Sequence, residues 1–136
     1  MIPLPHPTEP LVYVAGPITK DPFGCVRQAT DAFTWLRDFD LVPFLPQLSV
    51  LHEMVSPLPY EEWMSYDFRI IEHCSGLLRL DGKSPGADRE VAYATGLGIP
   101  VLRDPFPHTS GLGLRAARGE WIDCVWEYHR RGTDSA

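Results

Sequence analysis

The stretch "GLLRLDGKSPGADREVAYATGLGIPVLRD", from Gly76 to Asp104, contains a complete strand–helix–strand unit. Its two ends, Gly76–Leu80 and Ile99–Asp104, are short and rich in Leu, Ile and Val, which is typical of buried strands. Between them, Pro85–Leu97 follows a Ser-Pro-Gly turn and ends at a glycine, which predicts a helix. This unit predicts a right-handed crossover between two parallel strands.

The rest of the chain repeats the alternation of strand and helix. Two more apolar β-rich runs, Leu11–Gly16 and Leu41–Pro46, predict strands. The second is expected at a sheet edge, because its prolines cannot donate to a ladder. Apolar residues at helical spacing predict three further helices, at Pro22–Asp38, Tyr60–His73 and Leu114–Arg131. The segment between Gln47 and Pro59 is loop-like, with room for a short helix near Leu51. The fold class predicted is α/β, a doubly wound parallel sheet of four or five strands.

In sheets of this kind, ligands bind beyond the carboxyl ends of the strands. That rule groups four connecting segments on one rim: Gly16–Asp21, Pro46–His52, Asp81–Gly86 and Asp104–Ser110. We therefore expect the functional site there. The proline-rich residues 1–10 are predicted to be a flexible lead-in, and residues 11–136 to form a single domain.

Composition limits the function classes. The net charge is -6 with no basic stripe, which argues against binding a nucleic-acid polymer but allows a small nucleotide. The 3 cysteines are far apart and suggest neither disulfides nor zinc, so reduced thiols in a cytoplasmic protein are expected. No apolar run is long enough for a membrane span, and the 5 histidines show no metal-binding spacing. We expect neither a metal nor a cofactor.

The turn Ser84-Pro85-Gly86 opens the helix of the quoted unit. Free N–H groups and the dipole at a helix start favour an anion, and glycine allows close approach. Ser84 and Gly86 are therefore candidates for holding a phosphate or ribose. The simpler interpretation is that Ser84 only caps the helix. Both interpretations can hold together.

Two carboxylates and a phenol are the candidates for chemistry. Glu90 lies in the second turn of this helix among apolar neighbours, Asp67 lies on the apolar side of the preceding helix, and Tyr13 lies within the first strand. Each has a structural alternative: a solvated acid for the two carboxylates and core packing for the tyrosine. Together they suit glycosyl chemistry, in which one carboxylate attacks an anomeric carbon and a second acid protonates the departing base.

These motifs resemble the nucleoside 2-deoxyribosyltransferase superfamily, including its nucleotide N-glycosidases. The resemblance rests on "YVAGPIT" at the first strand, Asp67 before "CSGLLRL", and the run from Ser84 to Glu90 before "GIPV". It implies a flavodoxin-like (Rossmann-like) sheet and a homo-oligomer with shared active sites. It also implies Glu90 as nucleophile, Asp67 as the acid that contacts the base, and Tyr13 as the residue that orients Glu90.

The resemblance further implies a substrate class. Ser84, six residues before Glu90, matches a serine that helps to bind phosphate in the family's 5′-monophosphate hydrolases. Gly16 and Pro17 would shape the sugar side. The implied function is cleavage of the N-glycosidic bond of a (deoxy)nucleoside 5′-monophosphate, by hydrolysis or by deoxyribosyl transfer. The sequence departs from the family at Cys74-Ser75, where an acid is usual, and in the short loop Asp81–Lys83.

Two alternatives belong to other classes. A non-catalytic nucleotide-binding or sensing module on the same fold is compatible with every motif above, since fold does not dictate function. A dinucleotide-dependent oxidoreductase is not compatible with the sequence. The segment "GLGLR" at Gly111–Arg115 lacks the third glycine of the dinucleotide-binding fingerprint, and it follows a loop rather than the first strand.

Overall fold

The structure is a computed structural model that describes residues 9–18, 22–104 and 112–134. Most of the predicted lead-in and of the loop after Asp104 lies outside the described residues. The same is true of residues 19–21, which belong to the first of the predicted rim segments.

Strands and helices alternate along the described chain, as the sequence predicts. The strands are β1 (Leu11–Ala15), β2 (Val42–Phe44), β3 (Gly76–Leu80) and β4 (Val101–Asp104). The helices are α1 (Pro22–Arg37), α2 (Ser49–Val55), α3 (Tyr60–Ile71), α4 (Pro85–Gly96) and α5 (Leu112–Asp134). Among these helices, none has both the length and the apolar character that crossing a bilayer requires.

The strand β2 is shorter than predicted. It ends at Phe44 because Pro46 begins a 3₁₀ turn, Pro46–Leu48, that leads directly into α2. The helix α2 covers much of the segment that reads as a loop, and none of its residues is buried. A helix that buries no face leaves little apolar periodicity in its sequence, which explains why only a short helix near Leu51 was expected.

The sheet is parallel throughout, in the order β2-β1-β3-β4. This order confirms the doubly wound α/β prediction, and β2 lies at an edge as its prolines require. The chain leaves β1 toward β2 and later returns to the other side of β1 as β3. Neighbouring connections therefore diverge between β1 and β3, and the carboxyl ends of these two strands form the switch point where such folds bind ligands.

The two faces of the sheet are built by alternate residues of the same strands. Val12, Val14, Leu78 and Leu80 pack with α1 and α5, a side that we call the α1/α5 face. The residues between them, Tyr13, Ala15 and Leu77, pack with α3 and α4, on what we call the α3/α4 face. Packing is closest at the start of β3, where a Cβ on Gly76 would lie 2.5 Å from a methyl carbon of Val125 in α5.

Candidate active site

Three of the predicted site residues meet at the α3/α4 face. The Tyr13 hydroxyl donates a hydrogen bond to the Glu90 carboxyl group, and both side chains are buried, with exposed fractions of 0% and 5%. Asp67, 9% exposed, lies within hydrogen-bonding reach of both. Asp67 and Glu90 are therefore not solvated acids, and Tyr13 is not merely a core residue.

Local sequence explains why these side chains converge. In α4, Glu90 shares the buried stripe with Ala87 and Ala94, whose small side chains let the helix approach the sheet closely. In α3, Asp67 shares the buried stripe with Met64 and Ile71. Each acid occupies the middle position of its stripe, where an apolar residue would otherwise be expected, and Tyr13 reaches both from β1.

A set of contacts between α3 and α4 fixes the two acids relative to each other. Arg89 of α4 binds both carboxylate oxygens of Glu61 in α3, at 2.8 and 3.1 Å. Its guanidinium also lies over the rings of Tyr60 and Phe68, at 5.6 and 5.8 Å. Exposed ion pairs stabilise little by themselves. The bidentate geometry nevertheless restricts the relative orientation of the helices that carry Asp67 and Glu90.

Burial changes the proton affinity of all three groups. It raises the pKa of Glu90 to about 8, with a further upward contribution from Asp67 and opposing contributions from the Tyr13 hydrogen bond and the Arg79 charge. Burial also raises the pKa of Asp67, against its hydrogen bonds to Glu90 and Tyr13. The pKa of Tyr13 lies well above its usual value, chiefly because of burial and secondly because of Glu90. At neutral pH the two carboxyl groups therefore retain a proton between them.

Arg79 is a charged residue of this site that sequence analysis missed. It is 5% exposed on β3, and its guanidinium donates to the carbonyl oxygens of Leu80 and Gly82 and to Asp88 of α4, the last at 3.1 Å. These bonds tie the end of β3 to the start of α4, and hence to Glu90. The available signal was a single cation in a strand whose other members are apolar or glycine.

Gln47 is a second missed residue, although its segment was predicted to lie on the rim. Its side chain is 1% exposed, and its Nε2 donates to the carbonyl of Val14 at 3.1 Å. The buried Oε1 has no hydrogen-bond partner among the described residues. Buried acceptors in native proteins are usually paired, so an unpaired one at a rim is a candidate contact for a bound ligand.

The four predicted substrate-binding residues differ in what surrounds them. The Ser84 Oγ accepts a hydrogen bond from the amide of Ala87 at 3.1 Å, so the serine caps α4. A Cβ on Gly86 would lie 3.2 Å from the Tyr60 hydroxyl. The absence of a side chain there thus serves the packing of α3 against α4. The Ser84 hydroxyl retains its own proton for donation.

Gly16 and Pro17 lie at the switch point beyond β1. A Cβ on Gly16 would meet Gln47 Nε2 and Leu80, each at 3.2 Å. Gly82, in the loop after β3, has a φ of +117° and would place a Cβ 2.6 Å from Pro17 Cγ. The loops that leave β1 and β3 therefore interlock, with glycine required by conformation as well as by space.

Three aromatic residues of α3, Trp63, Tyr66 and Phe68, lie near Asp67 in the sequence. Phe68 stacks on Tyr93 with ring centroids 4.4 Å apart. The Trp63 indole donates to Glu53 at 2.6 Å, and Tyr66 is 52% exposed. None of the three belongs to the buried core, and Tyr66 offers an exposed ring beside Asp67.

Comparison with known proteins identifies the fold. No protein-family profile matches the sequence, and no curated protein is similar to it at significant level. Solved structures share the fold of this chain. One of them is a 2-deoxyribosyltransferase from the psychrotolerant bacterium Bacillus psychrosaccharolyticus, 20% identical, with a TM-score of 0.50 over 79% of this chain and 81% of that one. At this identity the likeness concerns the fold.

Proposed function

We propose that the protein cleaves the N-glycosidic bond of a (deoxy)nucleoside 5′-monophosphate through a covalent intermediate on Glu90. The observation that carries the proposal is the buried hydrogen bond from Tyr13 to Glu90, with Asp67 beside both. The solved 2-deoxyribosyltransferase of the same fold supports this class of chemistry. So does the resemblance of the motifs around Tyr13, Asp67 and Glu90 to that superfamily.

The first step forms a glycosyl–enzyme. A Glu90 oxygen attacks the anomeric carbon as the carbon–nitrogen bond to the base breaks, and both electrons of that bond go to the base. The proton that the two carboxyl groups share passes through Asp67 to the departing base. Glu90 thereby loses the proton that burial favours at the moment when it needs negative charge. Tyr13 holds the attacking carboxylate in position by donating to it.

The second step removes the sugar from Glu90. Water, or the nitrogen of a second base, attacks the same carbon and gives its proton to Asp67, while the glutamate leaves as a carboxylate. Water as acceptor makes the protein a hydrolase, and a base makes it a transferase. The two activities differ only in the acceptor, because both use the same intermediate.

Substrate binding is assigned to groups on the rim. The Ser84 hydroxyl and the Gly86 amide at the start of α4 hold the phosphate, and Gly16 and Pro17 border the sugar. We also propose that the protein is cytoplasmic and works as a homo-oligomer with shared sites. An exposed apolar stripe supports an oligomer: Leu51, Met54 and Val55 of α2 are 63%, 77% and 86% exposed.

The test replaces Glu90 by glutamine, which keeps the shape and removes the nucleophile. Purified parent and Glu90→Gln proteins are incubated with a panel of nucleosides and 5′-monophosphates, with and without an acceptor base, and free base is measured by chromatography. We expect release by the parent and a loss of at least about 10³-fold in the variant. Equal turnover by the two proteins would exclude the assignment, and Glu62→Gln, an exposed glutamate of α3, is the control.

A non-catalytic nucleotide-binding module is the second candidate. The observation that favours it is the pKa of about 8 at Glu90, which leaves this group protonated at neutral pH in the empty protein. Binding without reaction would raise the melting temperature with nucleotide concentration and release no base. Base release that depends on Glu90 excludes this candidate.

A further inference from the structure

A cavity of about 430 Å³ lies at the carboxyl ends of β3 and β4, next to the three buried site residues but not part of them. It is lined by Arg79, Leu80, Asp81, Gly82, Arg103 and Asp104. Its volume falls within the range of small-molecule sites.

Two arginines stand side by side in this cavity. Arg79 and Arg103 are paired in register on neighbouring parallel strands. Both lie on the α3/α4 face, because Leu78 and Leu102, one residue before each, belong to the opposite cluster. Neighbouring strands are about 4.8 Å apart, so the two side chains start close enough together for one anion to accept from both.

The carboxylates near the two arginines are either paired with another cation or exposed to water. Asp104 is fully buried and is paired with Arg118, whose Nη2 lies 2.9 Å from its Oδ1. Asp88 binds Arg79 but has a side chain 60% exposed, so water weakens its effect. Asp81 is the one lining carboxylate with no ion-pair partner among the described residues, and it opposes an anion from an exposed position.

Arg79 and Arg103 retain capacity to donate. Among the described residues, the buried Nε of Arg79 has no hydrogen-bond partner and the exposed Arg103 has no ion pair. A phosphate has enough oxygens to accept from both guanidinium groups at once, and arginine suits its geometry.

The cavity is also close to Glu90, because the charge of Arg79, which lines it, lowers the pKa of that carboxyl group. Arg79 pairs with Ala15 in the sheet register, whereas Tyr13 pairs with Leu77. Arg79 is thus two residues, about 7 Å, closer to the rim than the tyrosine that binds Glu90.

We propose that the Arg79–Arg103 cavity is a subsite for the phosphate group of the substrate. This inference rests on the proposed function for its choice of a nucleoside 5′-monophosphate as substrate. It adds two full positive charges to the Ser84 hydroxyl and the α4 amides, and it makes Arg103 the residue that distinguishes nucleotides from nucleosides.

The test measures binding and does not depend on turnover. Inorganic phosphate, the deoxynucleoside 5′-monophosphates and the corresponding nucleosides are titrated into the parent, Arg103→Ala and Arg37→Ala proteins. Affinities are measured by calorimetry and melting temperatures. Arg37 is an exposed arginine at the end of α1 and controls for the change in net charge. Arg103 is chosen over buried Arg79 because its removal should not disturb folding.

We expect Arg103→Ala to weaken binding of phosphate and of 5′-monophosphates by about tenfold or more and to leave nucleoside binding unchanged. Arg37→Ala should match the parent. Equal affinities of Arg103→Ala and parent for the phosphate-bearing probes would overturn the proposal, as would the absence of phosphate binding by the parent at millimolar concentration. If Arg103→Ala loses phosphate binding but no base is released by the parent, the subsite stands and the proposed function fails.

Discussion

The two faces of the sheet use the same strands for different purposes. On the α1/α5 face, Val12, Val14, Leu78 and Leu80 join an apolar cluster. One residue along each strand, on the α3/α4 face, Tyr13 binds Glu90 and Arg79 binds the loop and α4. Since side chains alternate along a strand, a single step in sequence separates packing from candidate chemistry.

One charged residue on each face shows a further difference, in how completely it is paired. On the α1/α5 face, Asp104 uses both carboxylate oxygens to bind Arg118, which itself lies 5.2 Å from the ring of Trp35. On the other side, Arg79 keeps a buried Nε unpaired, and two acids share a small space. A fully paired buried group stabilises the fold. An unpaired buried group raises the free energy of the folded protein, and a ligand that bonds to it lowers that free energy again.

The largest effect on activity is expected at Asp67, which lies on the α3/α4 face. Asp67→Asn removes the acid that protonates the base, so base release should fall by about 10²- to 10⁴-fold. The loss should be smaller for nucleotides whose base leaves easily without protonation. Steady-state base release from substrates of graded leaving-group ability measures both. A uniform loss across the series would contradict the role of Asp67 as an acid.

Leu78→Ala, on the α1/α5 face, should lower stability without changing activity. Leu78 is fully buried on the α1/α5 face, so the substitution leaves a cavity and should lower the free energy of unfolding by about 2–5 kcal/mol. Chemical denaturation measures this loss. Well below the melting temperature, base release and its pH profile should match the parent. A shifted pH profile would mean that the faces are not independent.

The pH dependence of stability should distinguish Glu90 from the rest of the site. The folded pKa of about 8 exceeds the unfolded value of about 4.3, so the folded protein binds more protons between them. The stability that Glu90 contributes is therefore complete below the unfolded pKa and is lost as pH rises through the folded pKa.

The Glu90→Gln protein cannot titrate at this position, so it does not lose this stability as the pH rises. Its free energy of unfolding should therefore increase relative to that of the parent from pH 5 to pH 9, by on the order of 2–4 kcal/mol. Denaturation at several pH values measures the difference. Glu62→Gln is the exposed control. A constant difference between the Glu90→Gln protein and the parent across this range would contradict the raised pKa.

The smallest effect is expected at Ser84. Ser84→Ala removes the cap of α4 and should lower stability by about 1 kcal/mol. If the hydroxyl also binds phosphate, the affinity for 5′-monophosphates should fall while that for nucleosides does not. Denaturation and calorimetry separate the two roles. A stability loss alone would leave the serine as a cap.

The strand–helix alternation and the parallel sheet could be predicted because each element carries its own periodic or apolar signal. The helix α2 gave little signal because it buries nothing. Tyr13, Asp67 and Glu90 could be predicted through resemblance of motifs, whereas their pairing depends on how α3 and α4 cross. Gln47 and Arg103 could not be predicted because their roles depend on tertiary contacts. Gln47 binds the carbonyl of Val14 on β1, and Arg103 lies beside Arg79 only through the register of β3 and β4.

The contact between Gly82 and Pro17 has a consequence for engineering. Because the exits of β1 and β3 fill each other's space, a loop transplanted from a relative at one position would collide with the native partner at the other. Specificity could be exchanged only by moving both loops together.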